Sequence, residues 1–458
     1  MLPSLEPELP VESRIQPYEG NPRYWQFQGE PILLLGGSNQ DNLFNHPHLP
    51  PDGLEAHLDL LSSVGGNYVR NTMSSRNSGN LQPFLRHPDG RYDLNRWNEA
   101  YWDRLRRFLE MTEERGIIVQ MELWDRFDFA REPWDRSPFN PRNNVNYTPE
   151  ASGLPVVVST HPTDRENPFL RTTPHEEANQ VVLPYQEAFV ERVLEVSLPF
   201  PHVLYTINNE TGESEHWSGY WADLLGAAGD SLEVPVQVTE RWAARDSRDP
   251  WYDLTHDRPD RYTYIEISQN NHWVGPTRWE GVEAHVARVE ESGHLRPVNS
   301  VKIYGGPRHG GGVEEGTRKL SRNVFGGMAS SRFHRPHPDG EPLAGIGLQP
   351  LAQSHIRSLR ALSGSLGIYT AAPENHRFGE RAPDEAYLLS NLPEVLAVYF
   401  TDGGSVTVDL SDVPGALRLR WLDIGETSWM DGPLVQGGDE VVLSPPGSGP
   451  RAALLRTP

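Results

Sequence analysis

From Pro31 onward the chain switches repeatedly between short apolar runs and longer amphipathic stretches, and this alternation is what most restricts its fold. Pro31–Leu35 (PILLL), Asn67–Asn71, Ile117–Leu123 (IIVQMEL) and Val203–Asn208 (VLYTIN) read as strands. So do Val236–Glu240 (VQVTE), Tyr262–Ser268 (YTYIEIS) and Val298–Tyr304 (VNSVKIY). Between them Leu54–Val64, Asn95–Arg115, Tyr185–Leu198, Trp217–Gly229 and Trp279–Ser292 place apolar residues at helical spacing. Gly65-Gly66 stops the first of these and Gly116 the second. Gly316–Ser331 and Ile346–Ser363 read as the last two helices. Strands separated by helices form a parallel sheet. An open doubly wound sheet usually ends near five or six strands. Seven or eight repeats across roughly 340 residues therefore predict an α/β fold of the (β/α)8, or TIM, barrel type. The eighth strand falls at Ala329–Arg332 or around Gly345.

Three segments depart from the alternation. Residues 1–20 are rich in Pro and Glu and read as an arm laid over the barrel of residues 21–370. Residues 127–184 are too long for an ordinary βα connection, and on a barrel they would hang over the face where strands end. They are expected to form a substrate-shaping lid. From about Pro373 helical spacing disappears. Ala386–Leu389, Val395–Phe400, Ser405–Leu410, Leu417–Leu422 and Glu440–Leu443 are short runs separated by turns such as TDGG and PPGSG. Residues 373–458 are thus expected to form a small antiparallel β-sandwich that braces the barrel.

Composition narrows the function. The 458 residues include no cysteine, which removes thiolate metal sites, disulfides and cysteine nucleophiles. The net charge of −22 offers nucleic-acid phosphates no attractive field. No apolar run reaches the ~20 residues of a spanning helix, so no membrane partner is expected. The first residues show neither a basic n-region nor an apolar h-region. The chain is accordingly expected either in the cytoplasm or, if a leader has been removed, in the periplasm or outside the cell. The GxSxG, Walker, GxGxxG and HExxH patterns are absent. No cofactor and no metal are expected; the expected partner is a carbohydrate.

The leading chemical candidate is Asn208-Asn209-Glu210, directly after VLYTI. A glutamate at the carboxyl end of a barrel strand points into the mouth. An asparagine before it can bond a sugar 2-hydroxyl, and the glutamate can protonate a glycosidic oxygen. Here the chain resembles the large retaining glycoside hydrolase clan built on (β/α)8 barrels, whose acid/base signature is Asn-Glu ending strand four. It is most similar to the apiosidase-like, collagenase-associated group, in which a small β-sandwich follows the barrel. PILLLGGSNQDNLF resembles that group's first strand and loop, VLYTINNETGE its fourth, and AVYFTDGGSVTVDLS its sandwich. The resemblance implies glycoside hydrolysis with Glu210 as general acid/base.

It also exposes a departure. In the clan a second glutamate, the nucleophile, ends strand seven. The matching stretch, Arg296 to Tyr304, carries Val301 and Lys302 there, and no carboxylate follows until Glu314. Retaining enzymes need carboxylates about 5 Å apart and inverting ones about 6.5–9.5 Å. Glu240, expected to face the mouth from strand five, is the first candidate for the second carboxylate, and Asp41, Glu122, Asp125 and Glu266 are the others.

Lys302, half buried or more on strand seven, needs a carboxylate partner or a task. Either it pairs with Glu210, Glu240 or Glu266, or it binds an anionic substituent, or it serves as a base. Arg332, His334 and Arg335 add to a basic patch that hints at an acidic glycan. Asn39, Gln40, Arg70, Asn71, Arg126, Asn209, Gln269, Asn270 and Asn271 cluster at strand ends and could bond hydroxyls. Trp124, Trp242 and Tyr304 could stack on sugar rings. Three readings remain: a glycoside hydrolase on a plant- or algal-type glycan, a uronate-eliminating enzyme, and a barrel that only binds glycans.

Overall fold

The computed structural model describes residues 11–46, 53–307, 310–337 and 344–458. The first ten residues of the expected arm lie outside these. Eight parallel strands make the barrel: β1 (Leu34–Gly37), β2 (Tyr68–Thr72), β3 (Ile118–Asp125), β4 (Val203–Asn209), β5 (Val238–Thr239), β6 (Ile265–Glu266), β7 (Val298–Asn299) and β8 (Ser330–Phe333). β8 pairs with β1, and continuous pairing runs from β1 to β5. β6 pairs with β7. Two short seams close the ring. Thr263 N donates to Val238 O at 2.9 Å, and Ala329 N donates to Val298 O at 2.9 Å. The chain is therefore a (β/α)8 barrel followed by antiparallel sheets.

The long helices are α1 (Gly53–Ser63), α2 (Glu99–Glu113), α3 (Leu183–Ser197), α4 (Glu215–Ser231), α5 (Gly275–Glu291), α6 (Val313–Phe325) and α7 (Pro350–Leu366), and the insertion adds the short helices Arg131–Arg136 and Pro149–Ser152. The β5–β6 connection has only the short helical turns Pro250–Tyr252 and Asp253–His256. α2 starts four residues later than its apolar spacing predicts. Tyr92–Trp97 instead forms a hairpin with Phe84–Arg86, and Asn98 is still extended. β7 is shorter than VNSVKIY predicts. The amides of Ser300, Val301 and Lys302 donate to the hydroxyls of Ser330 and Ser268 instead of to a neighbouring strand. Among the described residues no helix is long and apolar enough to cross a membrane.

At the amino-terminal end of the barrel, three short strands between Gln16 and Ile32 place Trp25 against the strand starts. Its indole donates to Asn299 Oδ1 at 3.0 Å and meets Tyr264 edge-on. The carboxyl-terminal strands are β9 (Ala386–Asn391), β10 (Val395–Phe400), β11 (Val406–Asp409), β12 (Ala416–Asp423), β13 (Ser428–Gln436), β14 (Glu440–Leu443) and β15 (Arg451–Arg456). They enclose a separate apolar core. The sequence reading lacks β13 and β15. β13 contains Gly432-Pro433, a turn signal that an edge strand tolerates because its N–H side needs no partner. The sandwich meets the barrel through Trp279 on Tyr387, and through Arg322 paired with Asp384 at 2.8 Å.

Close approach fixes the β1–β2 seam. A Cβ on Gly36 would sit 1.8 Å from the carbonyl oxygen of Tyr68. Gly36→Ala must therefore push β1 and β2 away from each other. It is expected to lower unfolding free energy by about 2 kcal/mol or more, read by thermal and denaturant unfolding; an unchanged midpoint would contradict this.

Candidate functional site

The carboxyl ends of the strands open into a cavity of about 370 Å3. β2 and its following loop supply Arg70 and Arg76, and the loop after β1 supplies Asp41. β4 and its end supply Asn209 and Glu210, the stretch after β7 supplies Lys302, and the stretch after β8 supplies His334 and Arg335. The long insertion contributes Phe127, Ala130, Arg131, Pro133, His161 and Pro162.

A row of alternating charges underlies this cavity. Arg70, fully buried, makes two parallel bonds to Glu122 of β3, both 2.6 Å, and a third to Asp41 at 2.6 Å. Arg241 grips Glu122 from the other side and also bonds Asn209 Oδ1. Lys302 Nζ donates to Asn209 Oδ1 at 2.7 Å and to Glu210 Oε1 at 2.5 Å. The Tyr304 hydroxyl is 3.4 Å from the same glutamate oxygen. Asn209 donates in turn to Asp125 at 2.9 Å, which fixes which way its amide points. The backbone at Glu210 is left-handed, φ 56°, a conformation non-glycine residues rarely adopt. Arg126 holds it there through the Glu210 carbonyl oxygen.

The charges set the protonation states. Burial alone would raise the Glu210 carboxyl, but Lys302, helped by Arg241 and Arg126, outweighs it and holds Glu210 well below the usual range. Burial, with Arg241 and Arg70, pulls Lys302 down to about 8 against the pull of Glu210. At neutral pH the pair is ammonium and carboxylate. Glu122 is likewise buried, but Arg241 and Arg70 bring it down to about 2. Asp41 is buried too, yet Arg70 and Arg335 keep it well below the ordinary carboxylate range. Burial holds His334 well below its ordinary value, so its imidazole, 3.5 Å from Asp41, is neutral.

Several residues expected at the site lie elsewhere. Glu240 faces outward, not into the mouth. Its carboxylate accepts from Ser218 of α4 at 2.6 Å and from the amides of Asn208 and Arg241. Burial raises its carboxyl to about 7. The next residue, Arg241, is the one that turns inward. Trp124 packs among Phe189 of α3 and Trp217 and Trp221 of α4, where it lines an adjoining compartment and not the main cavity. Glu122 is inside and Asp125 reaches Asn209, so side-chain alternation slips by one residue between them. Trp242 is buried against Trp251, away from the cavity.

Arg332 is buried and bonds Val301 O and Ser38 Oγ rather than lining the cavity. Asn39 receives Leu348 N, and Asn71 receives Leu43 N; both are loop braces. Asn270 and Asn271 tie to Arg278 behind the site. Gln269 sits beside Tyr304, and Glu266 is buried below, within reach of Gln120 and Ser268. Gln40 lines an adjoining cavity.

The sequence reading missed Arg76, Arg131 and Asp128. Arg76 bonds Asp125 at 2.6 Å and Asp128 at 3.2 Å. Burial raises the Asp128 carboxyl to about 7. Arg76 follows a barrel strand, which was a usable signal; Arg131 and Asp128 lie in the long connection, where no periodicity places a side chain. Among the described residues no group of three or more potential metal ligands gathers.

No protein-family model matches the sequence, and no curated protein matches it. Solved structures do match its fold. One, described as a glycoside hydrolase, aligns over 97% of both chains at TM-score 0.65 and 13% identity. A family 5 glycoside hydrolase from Bacteroides vulgatus aligns over 97% of this chain and 94% of its own, at TM-score 0.62 and 16% identity. A family 5 mannosidase from Rhizomucor miehei, solved with mannosyl-fructose, covers 79% of this chain and 99% of its own at TM-score 0.53 and 13% identity. At these identities the likeness is one of fold.

Removing Lys302 tests the charge row. Glu210 has a depressed folded pKa, so its contribution to stability is present above its unfolded value near pH 4.3 and is lost as pH falls further. Lys302→Met is expected to cost about 3 kcal/mol at pH 6. The deficit relative to wild type should shrink below about pH 4 as Glu210 protonates in the unfolded chain. A deficit that stays constant from pH 7 to pH 3, in denaturant titrations, would contradict the pairing.

Proposed function

We propose that this chain is a glycoside hydrolase with Glu210 as its central catalytic carboxylate. The observation that carries the reading is Asn209-Glu210 at the end of β4, facing a cavity large enough for a sugar residue and more. The barrel's likeness to glycoside hydrolase structures and the sequence resemblance to the apiosidase-like group support it.

The chemistry follows from the state of Glu210. An ionised carboxylate at a glycosidic centre stabilises an oxocarbenium-like transition state, attacks it, or activates a water. In the resting site Glu210 has that form. Acting as an acid requires that Lys302 first be drawn off, since the ammonium stabilises the anion it touches. Asn209 presents an amide fixed by Asp125, Arg241 and Lys302 beside the reacting position. Asp41, which lines the same cavity although it is paired with Arg70 and Arg335, is the second carboxylate in this reading, in place of Glu240.

A second reading is favoured by Lys302 itself. It stands where the resembled clan has its second glutamate, and it neutralises Glu210. A barrel so altered would bind glycans without cleaving them.

Product analysis separates these. Wild type and Glu210→Gln are incubated with a panel of neutral and acidic polysaccharides. Saturated fragments from wild type, with turnover in Glu210→Gln reduced by about 10³-fold or more and sugar binding retained, are expected. Equal turnover in the variant would remove Glu210 from the reaction. Unsaturated ends would indicate elimination, and binding without products would leave the glycan-binding barrel.

A further inference from the structure

The charges at the cavity do not balance, although the chain as a whole carries −22. Arg70 is matched by Glu122 and Asp41, and Arg76 by Asp125 and Asp128. Asp41 is then shared again, with Arg335 at 2.5 Å, and Glu210 is taken by Lys302. Behind them Arg241 draws on the same Glu122, and Arg332 bonds only a carbonyl and a hydroxyl. Every carboxylate around the mouth is thus committed, and cations are left over.

Arg131 is the clearest of these. It lines the cavity from the insertion, its side chain is exposed, and it forms no ion pair with a described residue. Its backbone is left-handed, φ 56°, with its amide held by Val158 O at 2.7 Å. A non-glycine residue keeps such a conformation only where its surroundings impose it, and such positions cluster at ligand sites. Arg335, in the stretch after β8, is a quarter exposed; its one ion-pair partner among the described residues, Asp41, is shared with Arg70, and it also donates to Pro336 O at 3.1 Å. Two guanidinium groups facing one cavity suit an anion with several acceptor oxygens.

We propose that this cavity binds a sugar through a carboxylate or sulfate group, with Arg131 and Arg335 as the anchors; the identification as a sugar rests on the function proposed above. Lys302 borders the same space, so an anion seated there competes with Glu210 for the ammonium. Binding of the acidic sugar would then loosen the contact that keeps Glu210 paired.

The test is binding, measured by calorimetry on wild type, Arg131→Gln and Arg335→Gln. The probes are trigalacturonate, its carboxyl-reduced neutral counterpart, and a sulfated galactose trisaccharide. At least one acidic probe is expected to bind wild type about tenfold or more tighter than the neutral one, a difference of about 1.4 kcal/mol. Arg131→Gln, at an exposed position that leaves the fold intact, is expected to remove about tenfold of acidic affinity and less than twofold of neutral. The stronger acidic probe identifies the group. Equal affinity for acidic and neutral probes, no acidic binding, or an equal loss of both in Arg131→Gln overturns the proposal. Tight acidic binding without cleavage would uphold it while removing the hydrolase reading.

Discussion

The row Asp41–Arg70–Glu122–Arg241–Asn209–Lys302–Glu210 is the constraint around which the mouth of this barrel is built. Isolated charges at such depth would each cost several kcal/mol, and removing any one member leaves its neighbour uncompensated. Its members come from β2, β3 and β4 and from the stretches after β1, β4, β5 and β7. The row therefore needs the strands to be in register before it can form, and once formed it opposes slippage of β2, β3 and β4 against each other. Asn209 is its only uncharged member, and its amide bonds both signs.

The same row decides what Glu210 can do. A carboxylate beside an ammonium at 2.5 Å is an anion over the whole physiological range, suited to meeting positive charge and unsuited to giving up a proton. The lysine in place of a second glutamate thus changes chemistry as well as charge. The insertion adds the other half of the site. It covers the strand ends, brings Arg131 to the cavity, and encloses an adjoining aromatic-lined compartment that meets the main cavity at Arg76 and Pro133.

Residues at strand ends were legible to different degrees. Asn209, Glu210, Lys302 and Asp41 could be placed because each follows an apolar run in a repeat whose geometry sends strand ends to one face. Trp124 leaves the expected face because the alternation in β3 slips just before the mouth. A shift of one residue sends a side chain from the cavity to the helix layer. β5 stays regular: Thr239 pairs with the inward Thr206, so Arg241, and not Glu240, is the next residue to face in. Lys302 was expected on a paired strand, whereas serine hydroxyls take its local amides. Arg131 and Asp128 carried no periodic signal at all.

Taken by itself, the sequence determined the architecture: apolar runs alternating with amphipathic helices leave little but a closed parallel barrel, and the change of period after residue 373 leaves a β-rich end. It also determined which residues reach the mouth wherever a strand runs regularly to its end. Tertiary structure alone decided the partners. Glu122 could have faced a substrate, yet lies clamped between two arginines from β2 and the turn after β5. Lys302 had three carboxylates open to it and took Glu210. Such choices rest on distances of a few ångströms between segments far apart in the chain, and Coulomb energy in a dry interior changes steeply over that range.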